Sequence, residues 1–221
     1  VELRCIAHLA QDPGLIAAFT TGQDVHSATA ARVFGVEESA VTHEQRSKAK
    51  MVSYGLAYGM EAFGLGQRLG IRTDEAATIL DAYFAAFPNV QSYMDDTVAQ
   101  AKSRGYTETL FGRRRRIPEL DSSNFRIRQA GERQAMNAAI QGLAADIFKI
   151  ALIRIDQGLS DSALASRLVL QVHDEVLVES PLNEVEVVDA LVLQIMEQAT
   201  KLDVPLAVNS AWGSTWAEAK S

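Results

Sequence analysis

The sequence has little of several things, and each shortage excludes something. It holds one cysteine, Cys5, among 221 residues, so no disulfide can form within the chain and a reducing compartment is expected. Cys5 stands in the apolar stretch from Leu3 to Leu9, which reads as a buried, inert thiol rather than a catalytic one. No apolar run approaches the roughly 20 residues that a membrane-crossing helix needs, so no membrane partner is expected. The opening Val1-Glu2-Leu3-Arg4 has neither a signal-peptide nor a transit-peptide pattern and no Met; the chain reads as a piece of something longer. There is no repeat, no low-complexity segment and no long linker. Apolar residues at 48% and charged residues at 22% are ordinary for a globular chain, which excludes disorder, collagen and a disulfide scaffold.

Charge is unevenly spread. The formal net charge is -7, which taken alone argues against a polyanion partner. Residues 102–133, however, hold nine Lys/Arg against four acids, and residues 174–221 hold nine acids against two Lys. A local basic field matters more to a ligand than the total. The run Arg113-Arg114-Arg115-Arg116 fits either a solvated turn or a phosphate contact.

Periodicity and caps predict mostly helix. Residues 2–20 read helical with a break near Pro13-Gly14. Asp24 can cap a helix to Phe34, stopped by Gly35. Thr42 and Gln45 form a capping box for a helix over about 43–58. Gly64 to Gly70 reads as a short helix or turn, Thr73 as the cap of a helix ending before Pro88, and Pro88 as the first residue of a helix to Arg104. A small hairpin is expected at 106–117, and a long helix over about 125–157, interrupted or bent near Gly131 or Gly142. Strand signals come late: Arg167–Val172 and Val176–Glu179 around His173-Asp174-Glu175, then Val204–Ala211 after a helix capped by Asn183 with Glu186 and running to about Leu202. The expected fold class is α+β, mostly helical, with strands forming an antiparallel sheet.

Three constellations carry chemistry. Arg46, Lys50, Tyr54 and Tyr58 recur every four residues, and a step of four turns only about 40° around a helix. Two cations followed by two aromatics on one stripe suit a molecule with a polyanionic end and a flat end, such as a nucleoside triphosphate; a snorkelling basic face is the plainer reading. Arg133, Asn137 and Gln141 make a second stripe of hydrogen-bonding residues among Ala, Ile and Met, suited to a DNA minor groove or sugars, or to solvent. Gln171-Val172-His173-Asp174-Glu175-Val176 places two adjacent carboxylates at a tight turn, a polar hairpin tip or the rigid oxygen donors that Mg²⁺ takes. Zinc is disfavoured, because no second His or Cys follows His173 at ligand spacing.

Together these residues resemble family A DNA polymerases, of the bacterial DNA polymerase I type. Arg46-x₃-Lys50-x₃-Tyr54-Gly55-x₂-Tyr58-Gly59 resembles motif B, Val172-His173-Asp174-Glu175 looks like motif C, and Val1-Glu2-Leu3-Arg4 looks like the tail of motif A. Asp24-Val25-His26, Glu108-Thr109-Leu110-Phe111-Gly112-Arg113-Arg114, Gln141-Gly142 and Leu202-Asp203-Val204-Pro205-Leu206 extend the likeness over essentially the whole chain. The resemblance implies right-hand polymerase fingers at 21–125, with part of an antiparallel palm sheet at 1–20 and 126–221. It implies that His26, Arg46 and Lys50 bind a dNTP triphosphate, with Lys50 also counted as catalytic, and that Tyr54 packs on sugar and base. Tyr58 with Glu2 would close the pocket floor, Glu2 crowding a ribose 2′-OH. Asp174 would hold metal with Glu175 beside it as a catalytic carboxylate. His173 would lie near the primer terminus, and Arg133, Asn137 and Gln141 would track primer–template DNA.

The implied reaction is dNMP addition to a primer 3′-OH, with two Mg²⁺ as cofactor, in DNA replication and repair in the cytoplasm near the nucleoid. There are departures from the family pattern. The motif A aspartate would fall four residues before Val1, so the chain reads as a C-terminal fragment that needs the remaining N-terminal part of the polymerase as a partner and is inactive alone. Tyr54 stands where many members carry Phe, and Leu143 where Thr is common. The alternatives are a non-catalytic fragment that binds primer–template or dNTP, an RNA-making or RNA-templated polymerase of similar shape, and a nucleotide-binding interaction module.

Overall fold

A computed structural model describes residues 1–220. It divides into two compact units, one comprising Glu2–Ala144, the other Val1 with the residues from Ala145 on.

In the first unit, α1 (Glu2–Ala10), α2 (Pro13–Thr20), α3 (Val25–Phe34), α4 (His43–Ala57), α5 (Ala62–Leu69), α6 (Thr73–Ala86) and α7 (Pro88–Arg104) follow one another. They precede a hairpin of β1 (Tyr106–Glu108) and β2 (Arg114–Arg116) and the first part of α8 (Phe125–Asp161). Local chemistry sets these boundaries. Asp12, almost wholly buried, accepts from the backbone N–H of Gly14 at 2.9 Å and Leu15 at 3.1 Å, ahead of Pro13. Its second oxygen accepts from Asn89 N–H at 3.2 Å, so one carboxylate joins the starts of α2 and α7. The Thr42–Gln45 capping box forms as expected, and Gly35 and Gly105 end α3 and α7 in the left-handed conformation. Tyr83, Phe87, Ile6, Leu15 and Leu65 are fully buried. Cys5 is buried as well, and burial pushes its thiol up to about 12, which fits the inert reading.

In the second unit, the last part of α8 packs Ile155 and Leu159 with Val188 of α9 (Val185–Glu197), against apolar residues of β3 (Arg167–Val172) and β4 (Glu175–Glu179). The strands pair antiparallel, Val172 opposite Glu175, with an irregularity between Leu168 and Leu170. A short helix, α10 (Trp216–Ala219), is capped by Thr215.

Four local expectations need correction. Thr73 is not a cap: the N-cap is Arg72, without a side-chain hydrogen bond, and Asp74 and Glu75 favour the start of α6 through its dipole. The final helix starts at Val185 behind a 3₁₀ turn, with no side-chain cap from Asn183, and stops at Glu197. Glu184 accepts instead from Ala165 N–H, Ser166 N–H and Ser166 Oγ, which ties it to the start of β3. Residues 204–211 form no strand, since no strand among the described residues pairs with them.

The fourth correction concerns the expected interruption of α8 near Gly131 or Gly142, which is absent: the helix runs 37 residues continuously. Its glycines serve close packing. A Cβ at Gly131 would lie 3.0 Å from Leu120 N, and one at Gly142 would lie 2.5 Å from Thr109 Cγ2. The architecture is mostly helical with two small antiparallel sheets, as expected for the fold class.

Candidate functional site

The α4 stripe forms and meets α3. Both helices are fixed at their N-termini by side-chain caps, Thr42 on α4 and Asp24 on α3, which aligns His26 with the stripe. The His26 ring stands edge-on to Tyr54, centroids 5.9 Å apart, and Lys50 Nζ lies 5.8 Å from the Tyr54 centroid, within cation–π range. Tyr54 and Tyr58 remain 39% and 51% exposed, so both rings are open to a ligand.

His26 Nδ1 is buried with no hydrogen-bond partner among the described residues. Burial, reinforced by Lys50 and Arg46 and opposed by Asp24, holds His26 below the usual imidazole value, so its ring is neutral near pH 7. Arg46 donates from Nε at 3.1 Å and Nη2 at 2.6 Å to Asp24 Oδ2. That contact, the largest cause, holds the Asp24 carboxyl below the ordinary carboxylate range. By chain neighbours alone Asp24 is a cap and nothing more. Its pairing with a residue 22 positions away becomes visible only once α3 and α4 pack together.

The second stripe converges on the same end of α4. The turn after α4 is closed by Gly59 at φ 62°, where a Cβ would lie 3.1 Å from Asn137 Oδ1 and 3.3 Å from the Arg133 carbonyl. Only glycine permits both the left-handed backbone and this approach. Asn137 Oδ1 is buried without a partner among the described residues, and Arg133 Nη1 lies 3.4 Å from Glu61 Oε1. Gln141 is half-buried, one turn further along α8. Glu2 begins α1, which packs on α4.

The arginine run is largely stitched into the fold. Arg113 Nη2 donates to the Gly142 carbonyl at 2.7 Å. Arg114 pairs with Glu108 and lies over the Tyr106 ring, and Arg115 donates to Gln134 Oε1 at 3.2 Å. The run still presents exposed positive charge, but three of its four guanidinium groups also brace the hairpin or α8.

In the second unit, His173 and Asp174 form a two-residue turn, His173 at φ 53°, as hairpins of this length require. Gln171 Nε2 donates to the His173 carbonyl at 2.7 Å and braces the turn. Asp174 is exposed at the tip. Glu175 is the first residue of β4 rather than part of the turn, and Lys220 Nζ lies 3.0 Å from its Oε2. An exposed carboxylate on a braced tip fits one ligand position of Mg²⁺, which takes one or two carboxylates and leaves the rest to phosphate and water. Among the described residues no group of three His, Cys, Asp or Glu could enclose an ion.

The first unit is a mainly helical body that carries a cation–aromatic stripe, and the second presents a carboxylate at a hairpin tip. The model of DNA polymerase family A matches residues 1–218, and the chain belongs to that family. It is 53% identical over 216 residues to DNA polymerase I of Mycobacterium bovis, covering 98% of this chain and 24% of the relative. It is 48% identical over 220 residues to DNA polymerase I of Bacillus subtilis, covering 100% and 25%. Its fold matches the POL domain of Pol1 from M. smegmatis, solved in complex with a DNA primer-template and dNTP, with TM-score 0.95, 50% identity and 100% of this chain against 39% of that one. The chain therefore spans about a quarter of the length of the curated relatives it matches. No helix among the described residues is long and apolar enough to cross a membrane.

Proposed function

We propose that this chain is the fingers, with part of the palm, of a DNA-directed DNA polymerase acting in replication and repair. The fingers span 21–125, and the palm parts span 1–20 and 126–221. The observation that carries this reading is the meeting of half-buried His26 and Lys50 with the exposed Tyr54 ring, within a chain of this family. Lys50 and Arg46 neutralise the triphosphate of a dNTP, the unpaired His26 Nδ1 supplies a further contact, and Tyr54 packs on the sugar and base. Tyr58 and Glu2 bound the floor, where Glu2 excludes a ribose 2′-OH. Arg133, Asn137 and Gln141 align the primer–template minor groove, and His173 sits by the primer terminus.

The primer 3′-oxygen attacks the α-phosphate and pyrophosphate leaves, with Lys50 holding the charge that develops on the leaving group. Asp174 would hold Mg²⁺, with Glu175 beside it; two such ions would supply charge stabilisation at the transferring phosphoryl group. The other palm carboxylate comes from the part of the polymerase outside this sequence.

The test is Asp174→Asn in the polymerase that carries this segment. Incorporation should fall by more than tenfold, over about 1.4 kcal/mol in barrier, while primer–template binding holds. Retention of more than about a tenth of the rate would overturn the assignment.

A further inference from the structure

Of the two cations on the α4 stripe, one is already occupied. Among the described residues Lys50 has no carboxylate within ion-pair distance, whereas Arg46 is bound through Nε and Nη2 to Asp24 Oδ2. The two Asp24 oxygens have separate tasks. Oδ1 accepts from His26 N–H and Ser27 N–H, both at 2.9 Å, and caps α3. Oδ2 faces α4 and takes only Arg46. Both side chains are partly exposed, Arg46 at 37% and Asp24 at 43%, so a ligand can reach the pair.

We propose that Asp24 is a built-in competitor for the incoming polyanion: its Oδ2 sequesters the Nε–Nη2 edge of Arg46 and thereby sets how tightly this site holds a triphosphate. The proposal rests on the nucleotide-binding reading above. A phosphate that reaches Arg46 must displace Oδ2 or settle on the other guanidinium edge, within range of a fixed negative charge. Both routes weaken binding relative to a free arginine. Asp24 remains ionised near neutral pH because Arg46 holds it low, so only a competing anion, not a proton, frees the arginine there. A ligand carrying several phosphate charges competes best, which makes the pair a selector for highly charged ligands.

The substitution Asp24→Asn isolates this role. The Asn side-chain oxygen still caps α3, while the charge and the second acceptor are removed. Titration of the full chain with dATP and, separately, inorganic tripolyphosphate should show Asp24→Asn binding both about two- to fivefold tighter, the factor expected from an exposed ion pair. Arg46→Ala should bind more weakly, and adding Asp24→Asn to it should change nothing further. Asp24→Ser, which also caps but carries no charge, should reproduce the gain and covers the case of an asparagine variant that folds poorly. If both cap-preserving variants bind no tighter while Lys50→Ala weakens binding, Asp24 is a support that orients Arg46, and the competitor reading is overturned alone. If Lys50→Ala also leaves binding unchanged, the nucleotide site itself is wrong, and the proposal falls with it.

Discussion

A histidine held neutral beside two cations takes up a proton when an anion arrives. His26 is kept below its usual value of 6.5 first by burial, then by Lys50 and Arg46, against Asp24. Under the proposed reading, a bound triphosphate would neutralise Lys50 and Arg46 and give the unpaired Nδ1 an acceptor, so the imidazolium would gain what the free site denies it. We expect net proton uptake when dATP binds near pH 6.5, seen as a difference in calorimetric enthalpy between buffers of unlike ionisation heat. His26→Gln should abolish that difference; equal enthalpies in the unmodified chain would sink the argument. The linkage also acts on folding. Unfolded His26 binds a proton before the folded form does, so this residue costs stability as pH falls below 6.5. Tyr54 makes a separate residue-scale prediction. Its hydroxyl, where many family members carry Phe, can stand in for the sugar 3′-OH that a dideoxynucleotide lacks. In the complete polymerase, Tyr54→Phe should increase discrimination against dideoxynucleotides, and an unchanged dNTP/ddNTP incorporation ratio would refute this.

At the scale of elements, what was legible in the sequence was local. The caps at Asp24 and Thr42, the stop at Gly35 and the start at Pro88 each depend on a few neighbouring residues, and sequence shows neighbours. The α4 stripe was legible for the same reason. What depended on packing was not. Asn183 looks like a cap, but Glu184 is drawn to Ser166 and the 3₁₀ turn precedes the helix. Val204–Ala211 has strand composition but no partner ladder among the described residues. Gly131 and Gly142 read as breaks because propensity ignores what presses on a helix. Gly142 allows a direct test. By propensity alone, Gly142→Ala should stabilise α8 by up to ~1 kcal/mol. The new methyl would instead meet Thr109 Cγ2 at 2.5 Å, and we expect a loss of about 1–2 kcal/mol in chemical denaturation. Thr109→Ser removes that methyl and keeps the hydroxyl that accepts from Arg113 N–H at 3.3 Å. The double variant should recover most of the loss; no recovery would mean that the hairpin does not press on α8 there.

At the scale of the whole molecule, the question is whether these residues suffice for catalysis. Two-ion phosphoryl transfer needs carboxylates that bridge both ions. Here Asp174 stands at the hairpin tip, while Glu175 is engaged by Lys220 at 3.0 Å. Lys220 is itself held over the Trp216 ring at 4.9 Å, in a turn closed by Thr215 and Glu218. No third ligand joins them among the described residues. On β3, Val169 and Leu170 are 50% and 44% exposed, and among the described residues β3 pairs only with β4, so its other backbone edge is open to another strand. Under the proposed reading, a palm segment of the rest of the polymerase would supply both the further carboxylate and a strand beside β3. We therefore expect the 221-residue chain, purified free of host polymerase, to extend no primer, and extension to appear when the preceding palm segment of a family A relative is joined to its N-terminus. Joining the same segment with its motif A aspartate changed to Asn should leave the chain inactive, which separates a missing ligand from a missing strand. Template-directed extension by the chain alone would show that Asp174 and Glu175 suffice.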